Sequence, residues 1–282
     1  MIVFNGCSFT YGDELPGSRH PDGLEFDTHH HLTYAHRISN LLGETPYLNL
    51  AQNASSNDKI FRRTMQFLSD LRWKKETPEL LVVQWTTLGR FEIVDPSEKE
   101  YELYGVPWFV PKESSANQLI MALRYGKKEE RPRIAQTDWM TKRNPLVSDF
   151  MCHQYSVETL VLHTLSQMNI IQDYCDMAGI PLIQHQYSSI TYEYILKSLD
   201  DRFEELKDYK DTVVKYLKNL RKTSRIGLGN TQVPCFHTIA KQDKYKITEL
   251  GHFDEGAHKE FAEVLVRDVF PIIVTPKKWR TD

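Results

Sequence analysis

Short apolar runs alternate along this chain with longer stretches of helical periodicity. The clearest run is 80–85, which reads Leu-Leu-Val-Val-Gln-Trp and follows Pro78. Shorter runs occupy 1–5, 47–51 and 180–185, and helical spacing fills 34–43, 57–71, 156–178 and 255–269. Strands that are apolar throughout are typical of parallel sheets buried on both faces, and the intervening helices supply the covering layers. The sequence therefore predicts an α/β fold with a parallel sheet between helices.

Four residues mark the predicted helix ends. Gly43 and Gly179 follow helical patterns and suit left-handed C-terminal caps, because glycine adopts positive φ without steric cost. Asn57 and Asp254 precede helical patterns and are predicted N-caps.

The whole chain, residues 1–282, is predicted to form one domain with two insertions. The first, about 93–147, mixes aromatic residues, prolines and charges, and the second, about 192–222, is charged and helical in pattern. Neither fits the alternation of strand and helix, so we expect both to surround a functional site rather than to extend the sheet.

Composition excludes several classes of function. A net charge of -3 gives no general basic field for nucleic acid, and no apolar stretch has the length of a signal-peptide core or a membrane span. We therefore expect a cytoplasmic protein without membrane or nucleic-acid partners. No cysteines form a CxxC pair, and at least three of the four are expected to be buried thiols; these are Cys7, Cys152, Cys175 and Cys235.

No metal or cofactor is expected. The three consecutive histidines at 29–31 do not suit one ion, because adjacent side chains do not converge without an unusual backbone.

A serine follows the first predicted strand, in Gly6-Cys7-Ser8-Phe9-Thr10. The carboxyl edge of a parallel sheet is where ligands of such folds bind, so Ser8 is a candidate nucleophile. On this motif alone, a serine that only caps a helix explains the pattern equally well. A nucleophilic serine also needs a base and an orienting acid elsewhere in the chain.

Candidates for that base and acid stand near the C-terminus, in Glu249-Leu250-Gly251-His252 and the following helix. Together with Gly6-Cys7-Ser8-Phe9-Thr10, this stretch resembles the SGNH/GDSL hydrolases, whose last block is Asp-x-x-His before the final helix. The resemblance implies a flavodoxin-like three-layer α/β/α sandwich with about five parallel strands. It also implies a serine-dependent ester hydrolase that acts through an acyl-enzyme. The opening motif further resembles proteins encoded by bacteriophages, which would place the chain in a host cytoplasm.

Two histidines compete for the role of base. The rhythm of His252, His258 and Ala262 matches the family and favours His252, with His258 one turn into the last helix as a packing residue. The orienting acid is then Glu249, where the family has Asp. The rival pair is Asp254 with His258, which reads more simply as an N-cap and a helix contact.

The oxyanion donors are less clear in the sequence. The resemblance places a backbone donor at Ala54 with Asn53 as a side-chain donor, but the family's third-block Asn is absent. Thr86, Thr87 and Arg90 are the nearby polar candidates, and Thr87 is favoured. Cys7 is interpreted as a core residue that points away from His252.

Two functions therefore remain open. The first is an ester hydrolase for small-molecule or carbohydrate esters, with Ser8, His252 and Glu249 as its catalytic residues. The second is a catalytically impaired binding or structural protein of the same fold, in which aromatic residues of the first insertion contact a ligand or partner. The altered third block and Glu249 favour the second function. The sequence does not indicate an oligomeric state.

Overall fold

A computed structural model describes residues 1–12, 15–16, 31–52, 55–74, 77–86, 88, 157–187, 207–223, 235–236, 239, 245–246 and 252–273. The strands are β1 (Ile2–Asn5), β2 (Tyr47–Asn49), β3 (Leu80–Trp85) and β4 (Leu182–Gln186). The helices are α1 (Ser8–Tyr11), α2 (Tyr34–Leu41), α3 (Asn57–Lys74), α4 (Val157–Ala178), α5 (Lys207–Thr223) and α6 (Glu255–Val264). A π-helical turn (Leu265–Val269) continues α6 into α7 (Phe270–Ile273).

The four strands of the described chain form one parallel sheet in the order β2-β1-β3-β4. Ile2 pairs with both Tyr47 and Leu80, so β1 lies between its two neighbours. The chain leaves β1 towards β2 and then crosses back to β3, which makes the carboxyl ends of β1 and β3 a topological switch point. Ligands of open α/β sheets bind at such points.

Alternation along the strands divides the core into two layers. Ile2, Phe4, Leu80, Val82 and Ile183 belong to a cluster with residues of α2 and α6. The alternate strand residues pack on the other face with α3, α4 and α5; these are Val3, Leu81, Val83, Trp85 and Leu182. Successive strand residues point to opposite faces, so the predicted three-layer α/β/α architecture is confirmed.

Most predicted element ends agree with the structure. Gly43 and Gly179 have φ of +75° and +66°, and Asp254 caps α6 by accepting hydrogen bonds from the N–H groups of Gly256 and Ala257. The prediction of Asn57 as an N-cap is wrong. The Ser56 hydroxyl accepts from the N–H of Lys59 instead, and Asn57 is the first residue of α3.

Two observed elements differ in their bounds from the predicted ones. The strand predicted at 180–185 runs from Leu182 to Gln186, and the last helix extends beyond 269 to Ile273.

Within 192–222, α5 packs on α4 through Val213, Leu217 and Leu220, which are all buried. No helix in the described parts of the chain combines the length and the apolarity needed to cross a membrane.

Candidate active site

Ser8 is the first residue of α1, two residues beyond Gly6 at the end of β1. A Cβ atom at Gly6 would lie 2.9 Å from the Cβ of Gln84 and would also overlap the Thr10 side chain. Glycine at position 6 therefore lets α1 lie directly against β3. Gly12 ends the helix with φ of +86°, in the left-handed region. The serine is thus fixed in a tight turn at the carboxyl edge of the sheet.

Ser8 and His252 meet at this edge. The Nε2 atom of His252 lies 2.7 Å from the Oγ atom of Ser8, which is hydrogen-bond distance. Ser8 exposes 1% of its surface and His252 8%. The ring of Phe9 lies 4.7 Å from the imidazole and stacks on Tyr187 at 4.2 Å, so aromatic packing holds the imidazole in place. The two residues that sequence motifs singled out, 244 positions apart, are in direct contact.

The competing histidine is used elsewhere. The Nδ1 atom of His258 accepts a hydrogen bond from the backbone N–H of Tyr34 at 3.2 Å, and its ring packs against Tyr34 and Phe236. An Nδ1 atom that accepts carries no proton, so the ring proton of His258 lies on Nε2. Asp254 is also engaged, because its second carboxylate oxygen accepts from the N–H of Lys246. Asp254 and His258 therefore make contacts that hold α6 to Tyr34, Phe236 and Lys246.

A network of buried hydrogen bonds joins α1 to β2, β3 and α2. The Oε1 atom of Gln84 accepts from the Thr10 hydroxyl at 2.9 Å and from the Cys7 thiol at 3.3 Å. Thr10 Oγ1 and the Tyr34 hydroxyl are 2.8 Å apart, and burial raises the pKa of Tyr34 so that its hydroxyl keeps its proton. Asn49 adds a hydrogen bond to the backbone oxygen of Thr10. Cys7 is fully buried in the core, as predicted.

Asn57 connects the start of α3 to the end of β3. Its Oδ1 atom accepts from the N–H of Thr86, and its Nδ2 atom donates to the Thr86 carbonyl and to the Thr164 hydroxyl of α4. The Thr86 hydroxyl itself is buried and has no hydrogen-bond partner among the described residues. The backbone of Thr86, one of the candidates from sequence, is therefore held by Asn57.

The sequence motifs did not identify Gln84 and Asn57 as residues that support the site. Each was assigned to a regular element, Gln84 as one polar residue within an apolar strand and Asn57 as a cap. The polar residue inside a fully buried strand is the signal that could have identified Gln84, because buried amides require partners.

Several predicted site residues lie outside the described residues. These are Glu249, Asn53, Ala54, Thr87 and Arg90, together with the first insertion and Cys152. In the part of the chain that is described, Cys7, Cys175 and Cys235 are buried thiols that form no disulfide, and no three His, Cys, Asp or Glu side chains converge as metal ligands would.

No family model matches the chain, and no curated protein sequence matches it. One solved structure similar to it is a member of the lipolytic protein G-D-S-L family from Veillonella parvula, with 10% identity, 94% of this chain and 95% of that chain covered, and a TM-score of 0.39. Another is the lipase Lip_vut3 from a goat rumen metagenome, with 9% identity, the same coverage and a TM-score of 0.40. Likeness at this level carries no argument about the activity of this chain.

Proposed function

We propose that this chain is a serine-dependent ester hydrolase that acts through an acyl-enzyme, with Ser8 as nucleophile and His252 as general base. The observation that carries the proposal is the 2.7 Å contact between Ser8 Oγ and His252 Nε2. A serine becomes nucleophilic when an adjacent base can take its proton. The contact also lies at the switch point of the sheet, where substrates of this architecture bind.

The reaction follows from this pair. Ser8 Oγ attacks the acyl carbon while its proton passes to His252 Nε2, and the resulting tetrahedral intermediate expels the alcohol, which takes that proton. Water then attacks the acyl group on Ser8 with His252 again as base. The second intermediate releases the carboxylic acid and restores the Ser8 hydroxyl.

The resemblance to the SGNH/GDSL hydrolases assigns the remaining catalytic roles. Glu249 orients His252 by accepting the hydrogen bond from its Nδ1 atom. The backbone N–H groups of Ser8 and Ala54 hold the oxyanion, and Asn53 and Thr87 add side-chain donors. The N–H of Ser8 suits this role because the first turn of a helix leaves such groups without an intrahelical acceptor.

The substrates proposed are small acyl esters and O-acylated carbohydrates. A fluorophosphonate probe tests the nucleophile directly, since it phosphonylates only activated serines. We expect labelling of the unmodified chain, none in Ser8→Ala, and labelling slowed by at least about 100-fold in His252→Ala. Ser39→Ala, which removes another buried serine, and His163→Ala, on the exposed face of α4, are the matched controls. Equal labelling of Ser8→Ala and the unmodified chain contradicts the proposal.

The oxyanion donors are tested with Thr86→Val, Thr87→Val and Arg90→Ala. Loss of one donor typically costs on the order of 100- to 1000-fold in rate, so one variant is expected to fall in that range while folding normally. If all three hydrolyse acyl esters at the full rate, this block of sequence plays no part in the oxyanion site.

A second candidate function is a catalytically impaired binding or structural protein, with the viral role that the resemblance suggests. The specific observation that favours it is the burial of Ser8, which exposes 1% of its surface. A carbonyl carbon cannot reach such a hydroxyl until a covering group moves. Absence of both probe labelling and turnover on a panel of acyl esters, in a folded protein, selects this second function.

A further inference from the structure

Two buried side chains on adjacent strands lack hydrogen-bond partners. They are Gln84 on β3, whose Nε2 atom has none among the described residues, and His185 on β4, for which the same holds at both ring nitrogens. Both side chains are fully buried. The two residues are direct partners in the pairing of β3 with β4. Buried polar groups in folded proteins are nearly always satisfied, so this coincidence calls for a physical explanation.

The two groups lie on the same face of the sheet. Gln84 follows Leu80 and Val82 at a spacing of two and contacts α1, while the His185 ring packs on Tyr34 and Phe261 of the same layer. Adjacent parallel strands are about 4.8 Å apart. Side chains that leave paired positions on one face therefore stand next to each other.

The chemistry of the two groups is complementary. Burial lowers the pKa of His185 to about 3, and the nearby backbone of Gln186 offsets this only in part without reaching hydrogen-bond geometry. The imidazole is therefore neutral near pH 7 and offers one acceptor nitrogen and one N–H donor. Gln84 Nε2 offers donors only. A donor on one strand thus faces an acceptor on the next.

The amide of Gln84 also connects this pair to the candidate nucleophile. Its Oε1 atom holds Cys7 and Thr10, which lie on either side of Ser8 in sequence. The amide therefore contributes, with Tyr34 and Asn49, to the position of α1, and its Nε2 end makes no hydrogen bond to a described residue that would fix its orientation.

We propose that His185 is a positioning residue for Ser8, acting through one buried water molecule that accepts a hydrogen bond from Gln84 Nε2 and donates one to the acceptor nitrogen of His185. A water is inferred because these buried polar side chains leave paired strand positions and make no direct hydrogen bond to each other, and buried waters bind between such groups. The effect of His185 on catalysis rests on the proposed function of Ser8, whereas the water-mediated hydrogen bond between Gln84 and His185 does not.

The test of the positioning role compares His185→Leu, His185→Asn and His185→Gln with Ile183→Val, a packing change on the same face of β4. We expect His185→Leu to slow fluorophosphonate labelling of Ser8 and to lower kcat for an acyl ester by about 10-fold with KM unchanged, because a small displacement of a nucleophile is costly. Either Asn, which mimics Nδ1, or Gln, which mimics Nε2, is expected to restore most of the rate. Labelling of folded His185→Leu at the rate of Ile183→Val overturns the role.

The hydrogen bond is measured separately, by NMR on the unmodified chain. We expect cross-relaxation between the Gln84 side-chain amide protons and a long-lived internal water, and its loss in His185→Leu. No such contact in the unmodified chain overturns the proposed water, whether or not the chain hydrolyses esters. If the contact is present but nothing labels Ser8, the proposed function fails and the hydrogen bond stands.

Discussion

At the scale of single residues, Gly6 determines how closely α1 approaches the sheet. A methyl group at this position would meet both Thr10 and the Cβ of Gln84, two members of the network that supports Ser8. Neither neighbour can yield independently, because Gln84 belongs to a central strand and Thr10 to α1. The site therefore requires the absence of a side chain at position 6 as much as the presence of one at position 8.

Gly6→Ala is consequently expected to destabilise the fold by about 1–3 kcal/mol through overpacking and to slow labelling of Ser8. Gly43→Ala is the matched control. Its Cβ would meet nothing within 4 Å, but its φ of +75° makes the substitution strained. It should cost about 1 kcal/mol of unfolding free energy with unchanged labelling. Urea unfolding and probe kinetics on both variants measure the difference, and equal labelling rates in the two contradict the close-approach argument.

At the scale of elements, the N-terminus of α6 is fastened by one carboxylate. Asp254 accepts from Gly256 and Ala257 within the helix and from Lys246 in the preceding segment. His252 stands two residues before it, so the cap also fixes the segment that carries the candidate base.

Asp254→Ala is expected to lower the free energy of unfolding by about 1–2 kcal/mol, the usual effect of losing an N-cap, and to slow labelling of Ser8. Asp268→Ala serves as the control, because that carboxylate is exposed and pairs with its neighbour Arg267. It should leave both stability and labelling unchanged. Chemical denaturation at pH 7 measures the first effect, and an Asp254→Ala variant as stable as Asp268→Ala refutes it.

The contact between α3 and α4 is expected to depend on pH. His163 Nε2 lies 3.1 Å from the Asp58 carboxylate, which raises the pKa of His163 above 6.5. A raised histidine pKa contributes stability that is fully present below pH 6.5 and is lost as pH rises through the folded-state value. Since the His163 side chain is 57% exposed, solvent screening keeps the effect under about 1 kcal/mol. The free energy of unfolding should fall less steeply between pH 6 and 9 in His163→Gln than in the unmodified chain. An unchanged slope excludes a contribution of His163 to stability.

The elements of the fold were more predictable than their supporting side chains. Strand and helix positions follow from periodicity, because the strands are buried and mostly apolar, and Gly43, Gly179 and Asp254 mark helix ends. The proximity of Ser8 and His252 followed from two motifs at the ends of the chain. The contacts of Gln84, Asn57 and His185 did not, since their partners lie on neighbouring strands or helices and no local pattern encodes the strand order that brings them together.

At the scale of the whole molecule, His185 is expected to make global stability sensitive to acid. Its folded-state pKa of about 3 is below the ordinary value of 6.5, so between these values the unfolded chain binds the proton that the folded chain excludes. Stability attributable to this group is full above pH 6.5 and falls as pH drops towards 3, by an upper bound of about 5 kcal/mol.

Urea unfolding at intervals from pH 7 to pH 4 should therefore show a shallower loss of stability in His185→Leu than in the unmodified chain. His163→Gln is the control, because the contribution of His163 changes only above pH 6.5. Parallel acid limbs for the unmodified chain and His185→Leu would show that the folded chain protonates His185 as readily as the unfolded chain does.

The separation of 244 positions between Ser8 and His252 also has a consequence for the time course of folding. Contacts between distant parts of a chain form late and slow the reaction, because the loop between them must first be closed. The sheet can pair its four strands before α6 docks, whereas the contact of serine with imidazole requires α6 in place. Reactivity of Ser8 during refolding therefore reports the docking of α6, and it should lag behind the recovery of secondary structure.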